Sequence, residues 1–121
     1  METIPIQIGD KKYVECSMDG ANLITQERDA LDLVAACGEN ETSLLMIHSE
    51  NLTPDFYNLK TGLAGKILLK FSNYHLKVAA VLTPELATQG RFGEMVLETN
   101  RNSQEFRVFY TRAAAEAWLL I

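Results

Sequence analysis

The chain has 121 residues, of which 47% are hydrophobic and 22% are charged, and this composition is typical of one globular domain with its own core. Its formal net charge of -5 argues against nucleic-acid binding, because phosphate recognition needs clusters of Lys and Arg that this sequence lacks. No stretch reaches the roughly 18 apolar residues of a membrane helix, and no signal peptide is evident, so we expect a cytoplasmic protein without membrane contact.

The cysteines and histidines give no sign of a metal site. Cys16 and Cys37 are far apart and lack a CxxC spacing, so neither a disulfide framework nor a zinc site is predicted. His48 and His75 are also too distant to suggest a shared metal. We therefore expect no metal and no cofactor, and we expect both cysteines to be buried.

The first third of the chain predicts a hairpin followed by a helix. Apolar residues alternate in Ile4–Ile8, Gly9–Asp10 supply a turn, and a second run ends at Cys16, which indicates two antiparallel strands. Apolar residues then recur with helical spacing. Thr25 is the expected N-cap of this helix, and Gly38 is expected to lie past its end.

The middle of the chain predicts a buried strand and a long helix. Ser43–His48 is a short apolar run, which is typical of a strand covered on both faces in a parallel sheet. Thr53 can cap the following helix, and Pro54 suits its first position. The apolar residues of this helix share one stripe: Phe56, Leu59, Leu63, Ile67, Leu68 and Phe71. We therefore predict one helix from Thr53 to Phe71.

The last third continues the alternation of strands and helices. It predicts a strand at Leu76–Leu82, a helix at Phe92–Asn100, a strand at Glu105–Tyr110 and a helix at Arg112–Leu120. The element order is then ββαβαβαβα. We predict a single α/β domain over residues 1–121, with a mixed, partly parallel sheet of about five strands and helices packed on it.

Two glycines fall inside the predicted long helix. Gly62 and Gly65 would each cost about 1 kcal/mol relative to alanine in a helix interior. We favour a packing reason, in which the helix closely approaches the sheet or another chain. The alternative is a broken helix, with Thr61 capping a second segment at Gly62. Exposed N–H groups there would suit an anion or phosphate beside Lys60 and Lys66.

The residues after the central strand form a second candidate site. His48 ends that strand and is followed by Ser49, Glu50 and Asn51, and ligands of open sheets bind outside the carboxyl ends of parallel strands. Catalysis is the less favoured role for His48, since a histidine at a strand end more often makes a loop hydrogen bond. His48 and Ser49 form a poor base and nucleophile pair, because adjacent strand residues point to opposite faces.

The terminal helix is apolar on more than one side. It carries Ala113, Ala114, Ala117, Trp118, Leu119, Leu120 and Ile121. The helix either closes the core over the preceding strand or contributes to a homodimer interface, because a large exposed apolar patch is uncommon in a monomer.

A long motif resembles a known family. The motif runs Phe56-Tyr-Asn-Leu-Lys-Thr-Gly-Leu-Ala-Gly-Lys-Ile-Leu-Leu-Lys-Phe-Ser-Asn-Tyr74, with His48-Ser-Glu-Asn-Leu52 before it and Glu98-Thr-Asn-Arg101 after it. With these flanking runs, the chain resembles the bacterial domain-of-unknown-function family 4180 over nearly its whole length. That resemblance implies no assigned reaction.

A broader pattern is similar to STAS and anti-anti-sigma-factor-like domains, which share the predicted element order. Thr61-Gly-Leu63 has the form of their phosphorylatable Ser or Thr before Gly-Leu, although Lys60 replaces the expected Asp and the connection from His48 is longer. A second match, to relatives without enzyme activity, covers Asn58-Leu-Lys-Thr-Gly-Leu63 and Ala114-Ala-Glu-Ala-Trp-Leu119. This second match would place Thr61 inside a helix.

We therefore predict a non-enzymatic STAS-like domain that binds a protein partner, with an optional phosphorylation switch at Thr61. The alternative is a domain that binds a small apolar or anionic ligand, or in third place an enzyme. Its pocket would lie near His48–Asn51 and the Lys60–Gly65 helix. The candidate binding or regulatory residues are His48, Ser49, Asn51, Lys60, Thr61 and Gly62.

Overall fold

A computed structural model describes residues 2–19 and 23–121. Within them lies a five-stranded sheet whose strands stand in sequence order, β1-β2-β3-β4-β5. The strands are β1 (Thr3–Ile8), β2 (Lys11–Cys16), β3 (Leu44–His48), β4 (Lys77–Val81) and β5 (Phe106–Phe109). The helices are α1 (Glu27–Glu39), α2 (Pro54–Tyr57), α3 (Leu63–Asn73), α4 (Pro84–Ala87), α5 (Gly90–Asn102) and α6 (Arg112–Leu119).

The sheet is mixed and mostly parallel, which confirms the predicted α/β class and the order ββαβαβαβα. Strand β1 pairs antiparallel with β2, whereas β2, β3, β4 and β5 are parallel neighbours. The hairpin turn contains Gly9, whose φ of 62° is a left-handed conformation that glycine adopts without strain. The parallel strands bring their carboxyl ends to one edge of the sheet, where the loops after β3 and β4 also lie.

Helices cover both faces of the sheet, but not equally. On one face, α1, α3 and α5 enclose a large apolar core that includes Leu33, Ile67 and Phe92. On the other face, α6 alone packs against the sheet and buries Ala115, Trp118 and Leu119. The terminal helix therefore has the predicted role of closing a core.

The predicted long helix from Thr53 to Phe71 is wrong, because the chain breaks twice within it. After α2 the backbone of Asn58 is extended, Leu59–Thr61 form a single 3-10 turn, and α3 begins only after Gly62. The Thr61 hydroxyl oxygen lies 2.7 Å from the carbonyl oxygen of Asp55 and accepts a hydrogen bond from the Leu63 amide at 3.2 Å. These local bonds compete with continuous helix. Thr61 is therefore not an interior helical residue.

The explanation by close approach to the sheet is also wrong, the alternative of a helix broken at this point is confirmed, and close approach to another chain stays a prediction. A Cβ atom at Gly62 or Gly65 would meet no other atom within 4 Å, so neither permits a close approach. Gly62 is required for its φ of 77°, whereas nothing in the structure explains Gly65. The close approach lies elsewhere: a Cβ at Gly93 would fall 2.5 Å from the backbone carbon of Thr88.

Several helix boundaries differ from the predicted ones. Helix α1 is capped by Gln26 rather than Thr25, because the Asp29 carboxylate accepts hydrogen bonds from both of their backbone amides. Gly38 lies inside the last turn of α1, and Asn40 ends the helix. Helix α5 begins two residues before the predicted start, and the short helix α4 was not predicted.

Candidate functional site

A cleft of about 750 Å³ opens at the carboxyl edge of the sheet, between the loops that follow β3 and β4. One wall is the segment from the β3 loop through α2 to the 3-10 turn before α3. The opposite wall is the end of α4 and the start of α5. The lining residues are Ser49, Glu50, Leu52, Pro54, Tyr57, Asn58, Leu59, Lys60, Leu86, Gln89, Gly90, Arg91 and Phe92.

The cleft has an aromatic base. The rings of Tyr57 and Phe92 meet edge to face with centroids 5.1 Å apart, and Phe56 packs beneath both at 5.9 Å and 6.0 Å. Such edge-to-face contacts stabilise aromatic pairs beyond the burial of their area. Because Phe56 and Phe92 are also part of the apolar core, the base of the cleft is rigidly attached to the fold.

The Tyr57 hydroxyl is the polar group of this base. It is buried and makes no hydrogen bond within residues 2–19 and 23–121. Burial, with a smaller contribution from the nearby Glu50 carboxylate, raises the pKa of Tyr57 to about 12. The hydroxyl therefore keeps its proton near neutral pH and remains a hydrogen-bond donor without an acceptor.

Charged side chains stand at the mouth of the cleft. Lys60 and Arg91 come from opposite walls, and neither forms an ion pair or side-chain hydrogen bond in the described part of the chain. Glu50 is the acidic residue of the lining, and its carboxylate accepts a hydrogen bond from Ser49 at 2.9 Å. The cleft thus combines an apolar base with two cations and one anion at its rim.

The position of Arg91 and Phe92 depends on a tight turn between α4 and α5. Gly90 has a φ of 51°, and Gly93 contacts the backbone of Thr88 too closely for any side chain. The amide of Gly93 donates to the carbonyl oxygen of Gln89 at 2.9 Å, which starts the helix. These constraints direct the first turn of α5 into the cleft.

A second polar cluster lies on the α6 face of the sheet, near the same edge. The Glu15 carboxylate accepts hydrogen bonds from Arg112 Nε and Nη2 at 2.9 Å and from His48 Nε2 at 2.7 Å. Arg112 Nη2 also donates to the Tyr13 hydroxyl at 2.8 Å, and that hydroxyl donates to Glu116 at 2.6 Å. We call these five residues the Glu15 network.

The electrostatics of the Glu15 network favour an ionised carboxylate. Burial alone would raise the pKa of Glu15, but the hydrogen bonds from Arg112 and His48 outweigh it and hold the pKa below its ordinary value. An ionised carboxylate can only accept hydrogen bonds, so the proton of the 2.7 Å contact lies on His48 Nε2. The network therefore joins β2, β3 and α6, and both oxygens of the buried Glu15 carboxylate have hydrogen-bond partners.

The chain matches one family model, described as a domain of unknown function (DUF4180), over residues 8–119. The chain belongs to this family. No curated protein and no solved structure gave a significant match in the same comparisons. The predicted resemblance to this family is therefore confirmed, and the family name assigns no reaction to the cleft or to the Glu15 network.

The sequence-predicted site residues of this family member are divided between the two regions. Ser49 and Lys60 line the cleft. His48 instead belongs to the Glu15 network, and Asn51 is completely buried behind the loop, where its side-chain oxygen accepts a hydrogen bond from the His48 amide at 2.8 Å. Thr61 and Gly62 shape the break before α3 but are not among the lining residues.

Sequence reasoning missed most of the residues that form these regions. Tyr57 was assigned to the long helix, and Arg91 was not included in any predicted element. The one usable signal was Glu15, a charged residue inside the otherwise apolar end of β2 from Tyr13 to Cys16. Arg112 gave no such signal, because a charged residue at the start of a helix is ordinary.

Residues 2–19 and 23–121 give little support to a metal site, a membrane-spanning helix or a reactive cysteine. No group of three His, Cys, Asp or Glu side chains is arranged to hold a metal ion there. Within the same ranges, no helix is long and apolar enough to cross a membrane. Cys16 and Cys37 are buried as predicted, and burial raises the pKa of each thiol to about 12, which makes both poor nucleophiles.

Proposed function

We propose that this domain binds a small molecule with an apolar body and an anionic group in the cleft between the β3 loop and α5. The observation that carries the proposal is the combination of an apolar base with two exposed cationic side chains that have no ion pair among the described residues. Binding sites of small molecules are typically concave, mostly apolar and equipped with a few polar groups that orient the ligand.

The apolar part of the ligand would contact the base of the cleft. Tyr57 is half-buried there above the buried Phe92, and Leu59 and Leu86 extend the apolar lining on either wall. Burial of apolar area contributes about 25 cal/mol per Å², so a ligand of ordinary size gains several kcal/mol in such a cleft. This contribution favours binding without selecting one chemical structure.

The anionic part would lie between Lys60 and Arg91. Both side chains line the cleft, neither has an ion pair within residues 2–19 and 23–121, and a carboxylate, sulfonate or phosphate would supply one. Arg91 also lies in the first turn of α5, where the helix dipole adds a weak preference for negative charge.

Binding rather than catalysis is proposed because Ser49, the hydroxyl nucleophile of the lining, is not paired with a histidine among the described residues. Ser49 donates its hydroxyl hydrogen to the exposed Glu50 carboxylate beside it in sequence. His48 faces the other side of the sheet, and His75 lies in the turn before β4, at the opposite edge. No histidine of the described residues is in position to activate Ser49.

The test uses 8-anilinonaphthalene-1-sulfonate, an apolar fluorescent anion, titrated into the folded protein. We expect saturable binding at one site, with the affinity lowered about fivefold, or roughly 1 kcal/mol, by Lys60→Ala or Arg91→Ala. Lys66→Ala and Arg101→Ala are matched controls, because they remove the same charges from exposed positions outside the cleft. Equal losses in the controls, or no saturable binding by the parent protein, would contradict the proposal.

A regulatory protein-binding role is the second candidate, and one observation favours it. Thr61 is exposed, and its hydroxyl secures the turn that carries Lys60 into the cleft wall. In a STAS-like domain, phosphorylation at this position would remove those hydrogen bonds and change the wall for a protein partner. The test is the intact mass of the protein isolated from its own cells. A phosphate localised to Thr61 supports the switch, and an unmodified chain contradicts it.

The homodimer through α6 also stays a prediction. Helix α6 already buries Ala115, Trp118 and Leu119 against the sheet, so the core accounts for most of its apolar surface. Light scattering of the purified protein tests the remaining question. A monomeric mass at micromolar concentration would contradict the dimer.

A further inference from the structure

The loop that carries Ser49 and Glu50 into the cleft leaves the sheet where two strands separate. The parallel pairing of β2 and β3 consists of Val14 with Leu45 and Glu15 with Met46, and it does not continue to the end of either strand. By contrast, β3 and β4 stay paired to the last residue, where His48 lies opposite Val81. Beyond the Glu15–Met46 pair, the side chains of His48 and Asn51 connect β3 and its loop to β2 and to the residue after it.

Two side-chain bridges span this gap. On the α6 face, His48 Nε2 contacts Glu15 Oε2 at 2.7 Å. Behind the loop, Asn51 Nδ2 donates to the carbonyl oxygen of Ser17 at 2.7 Å, while Asn51 Oδ1 accepts from the His48 amide at 2.8 Å. His48 takes part in both bridges, with its side chain in one and its backbone in the other.

The bridges also fix the loop beyond the strands. The amide of Ile24 donates to the carbonyl oxygen of Asn51 at 2.7 Å, and the Leu52 amide donates to that of Ser49 at 3.1 Å. Because Asn51 is completely buried, Ser49 and Glu50 are held between two anchored residues, His48 and Asn51. Their position at the cleft is therefore determined from behind.

We infer that Glu15 and His48 are positioning residues for the cleft, although neither touches it. Their contact joins β2 to β3 beyond the last backbone pair and sets where the Ser49–Asn51 turn projects. Arg112 keeps the Glu15 carboxylate oriented for His48 through its two hydrogen bonds. The expected effect on ligand affinity rests on the proposed function, whereas the expected effect on the position of the loop does not.

The first experiment measures amide hydrogen exchange without any ligand. In His48→Leu the Glu15 carboxylate keeps Arg112, so the fold should survive while the bridge is lost. We expect the Ile24 and Leu52 amides to exchange about tenfold faster, as loss of one hydrogen bond of roughly 1.4 kcal/mol predicts. His48→Gln, which retains a donor, should recover most of the protection. Unchanged exchange in a folded His48→Leu protein would overturn the inference.

Glu116→Gln is the matched control within the same network. Glu116 bonds Tyr13, contacts Arg112 Nη1 only at 3.8 Å and does not touch Glu15 or His48, so its loss should leave Ile24 and Leu52 protected. Equal acceleration in Glu116→Gln and His48→Leu would show a general loosening of the α6 face and would overturn the specific role of His48. If His48→Leu does not fold, amide exchange in the parent protein provides the test. An Ile24 amide that exchanges as fast as the amides of the exposed termini would contradict a fixed Ser49–Asn51 turn.

The second experiment titrates 8-anilinonaphthalene-1-sulfonate into the same variants. We expect a severalfold lower affinity in His48→Leu, a smaller loss in His48→Gln and none in Glu116→Gln. If the parent protein does not bind the probe while exchange responds as predicted, the cleft function fails and the positioning role stands. If affinity is unchanged although the loop exchanges faster, the positioning role in binding is overturned and the cleft function stands.

Discussion

The two polar regions at the carboxyl edge of the sheet differ in whether their groups have partners. In the Glu15 network, Glu15, Arg112 and Tyr13 bond to one another and to their neighbours on three elements. In the cleft, the Tyr57 hydroxyl has no acceptor within the described residues, and Lys60 and Arg91 have no counter-ion there. Buried polar groups in folded proteins are normally satisfied, and among these groups only the Tyr57 hydroxyl departs from that rule, since Lys60 and Arg91 are exposed to solvent. The Glu15 network therefore has a structural role, and binding at the cleft is our proposal.

The difference follows from the number of elements that converge. Helix α6 packs on the sheet and brings Arg112 onto the Glu15 carboxylate, so this buried charge has a counter-ion within the fold. The cleft lies between the β3 loop and the start of α5, whose walls meet only at its aromatic base. Neither Lys60 nor Arg91 on these walls has an ion pair among the described residues.

The largest effect should come from removing the cation of the Glu15 network. Arg112→Ala leaves a nearly buried Glu15 with His48 alone, and we expect the free energy of unfolding to fall by about 2–3 kcal/mol. This is below the value for a fully buried pair because the Arg112 side chain is 45% exposed. Arg28→Ala, at an exposed position, is the control. Urea unfolding measures both, and equal stability of the two variants would remove the contrast between the regions.

The frame of the cleft should be the next most sensitive feature. Gly93→Ala places a methyl group 2.5 Å from the Thr88 backbone, so the α4–α5 turn must shift. We expect a loss of about 1–3 kcal/mol, together with weaker binding of the fluorescent anion. Thermal unfolding and titration measure the two effects. A Gly93→Ala protein with the parent's stability and affinity would show that the turn adapts freely.

Acid should weaken the Glu15 network less than the Arg112→Ala substitution does, because protonation of Glu15 removes a charge but no side chain. The pKa of Glu15 is lower in the folded protein than its ordinary 4.5, so this residue stabilises the fold above that pH. Its contribution is lost as the pH falls through the folded pKa. The free energy of unfolding, measured between pH 7 and pH 3, should decline less steeply in Glu15→Gln than in the parent protein. Identical slopes would contradict the ionised state of the buried carboxylate.

The same substitution at two tyrosines compares the regions directly. Tyr13→Phe removes a hydroxyl with two partners and should cost about 1–2 kcal/mol, whereas Tyr57→Phe removes a hydroxyl without one and should be neutral or slightly stabilising. Chemical denaturation measures both. If Tyr57→Phe destabilises as much as Tyr13→Phe, the Tyr57 hydroxyl has a partner in solution and the contrast is weaker than proposed.

The smallest effects on stability are expected for substitutions of Gly62, just before α3, and of Gly65, within α3. The two substitutions should change stability in opposite directions. Gly62→Ala places a side chain at a φ of 77° and should cost about 1 kcal/mol, while Gly65→Ala should gain about 0.5–1 kcal/mol in open space. Thermal unfolding of the pair provides the measurement. Destabilisation by Gly65→Ala would point to a contact that the isolated chain does not make, and so to a partner on this side of the cleft.

The local sequence pattern predicted much of the fold. Alternation in Ile4–Ile8, the apolar run Ser43–His48 and the strand–helix order predicted a mixed α/β sheet correctly, because each depends on residues close in sequence. The helix predicted after Thr53 was wrong because that prediction also used only the local pattern. Its apolar stripe has helical spacing, but the Thr61 hydroxyl and the left-handed Gly62 favour a break whose benefit lies in forming the cleft wall.

By itself the sequence determined the class of the fold, the buried cysteines and the membership of the family, since local periodicity and long motifs encode these. Tertiary structure alone decided the sites. Tyr57 and Arg91 line the same cleft, and Glu15 bonds Arg112 97 positions away. These proximities depend on how the elements pack in three dimensions, and spacing along the chain does not reveal them. The Glu15 carboxylate has partners because packing supplied them, whereas Lys60 has no ion pair among the described residues.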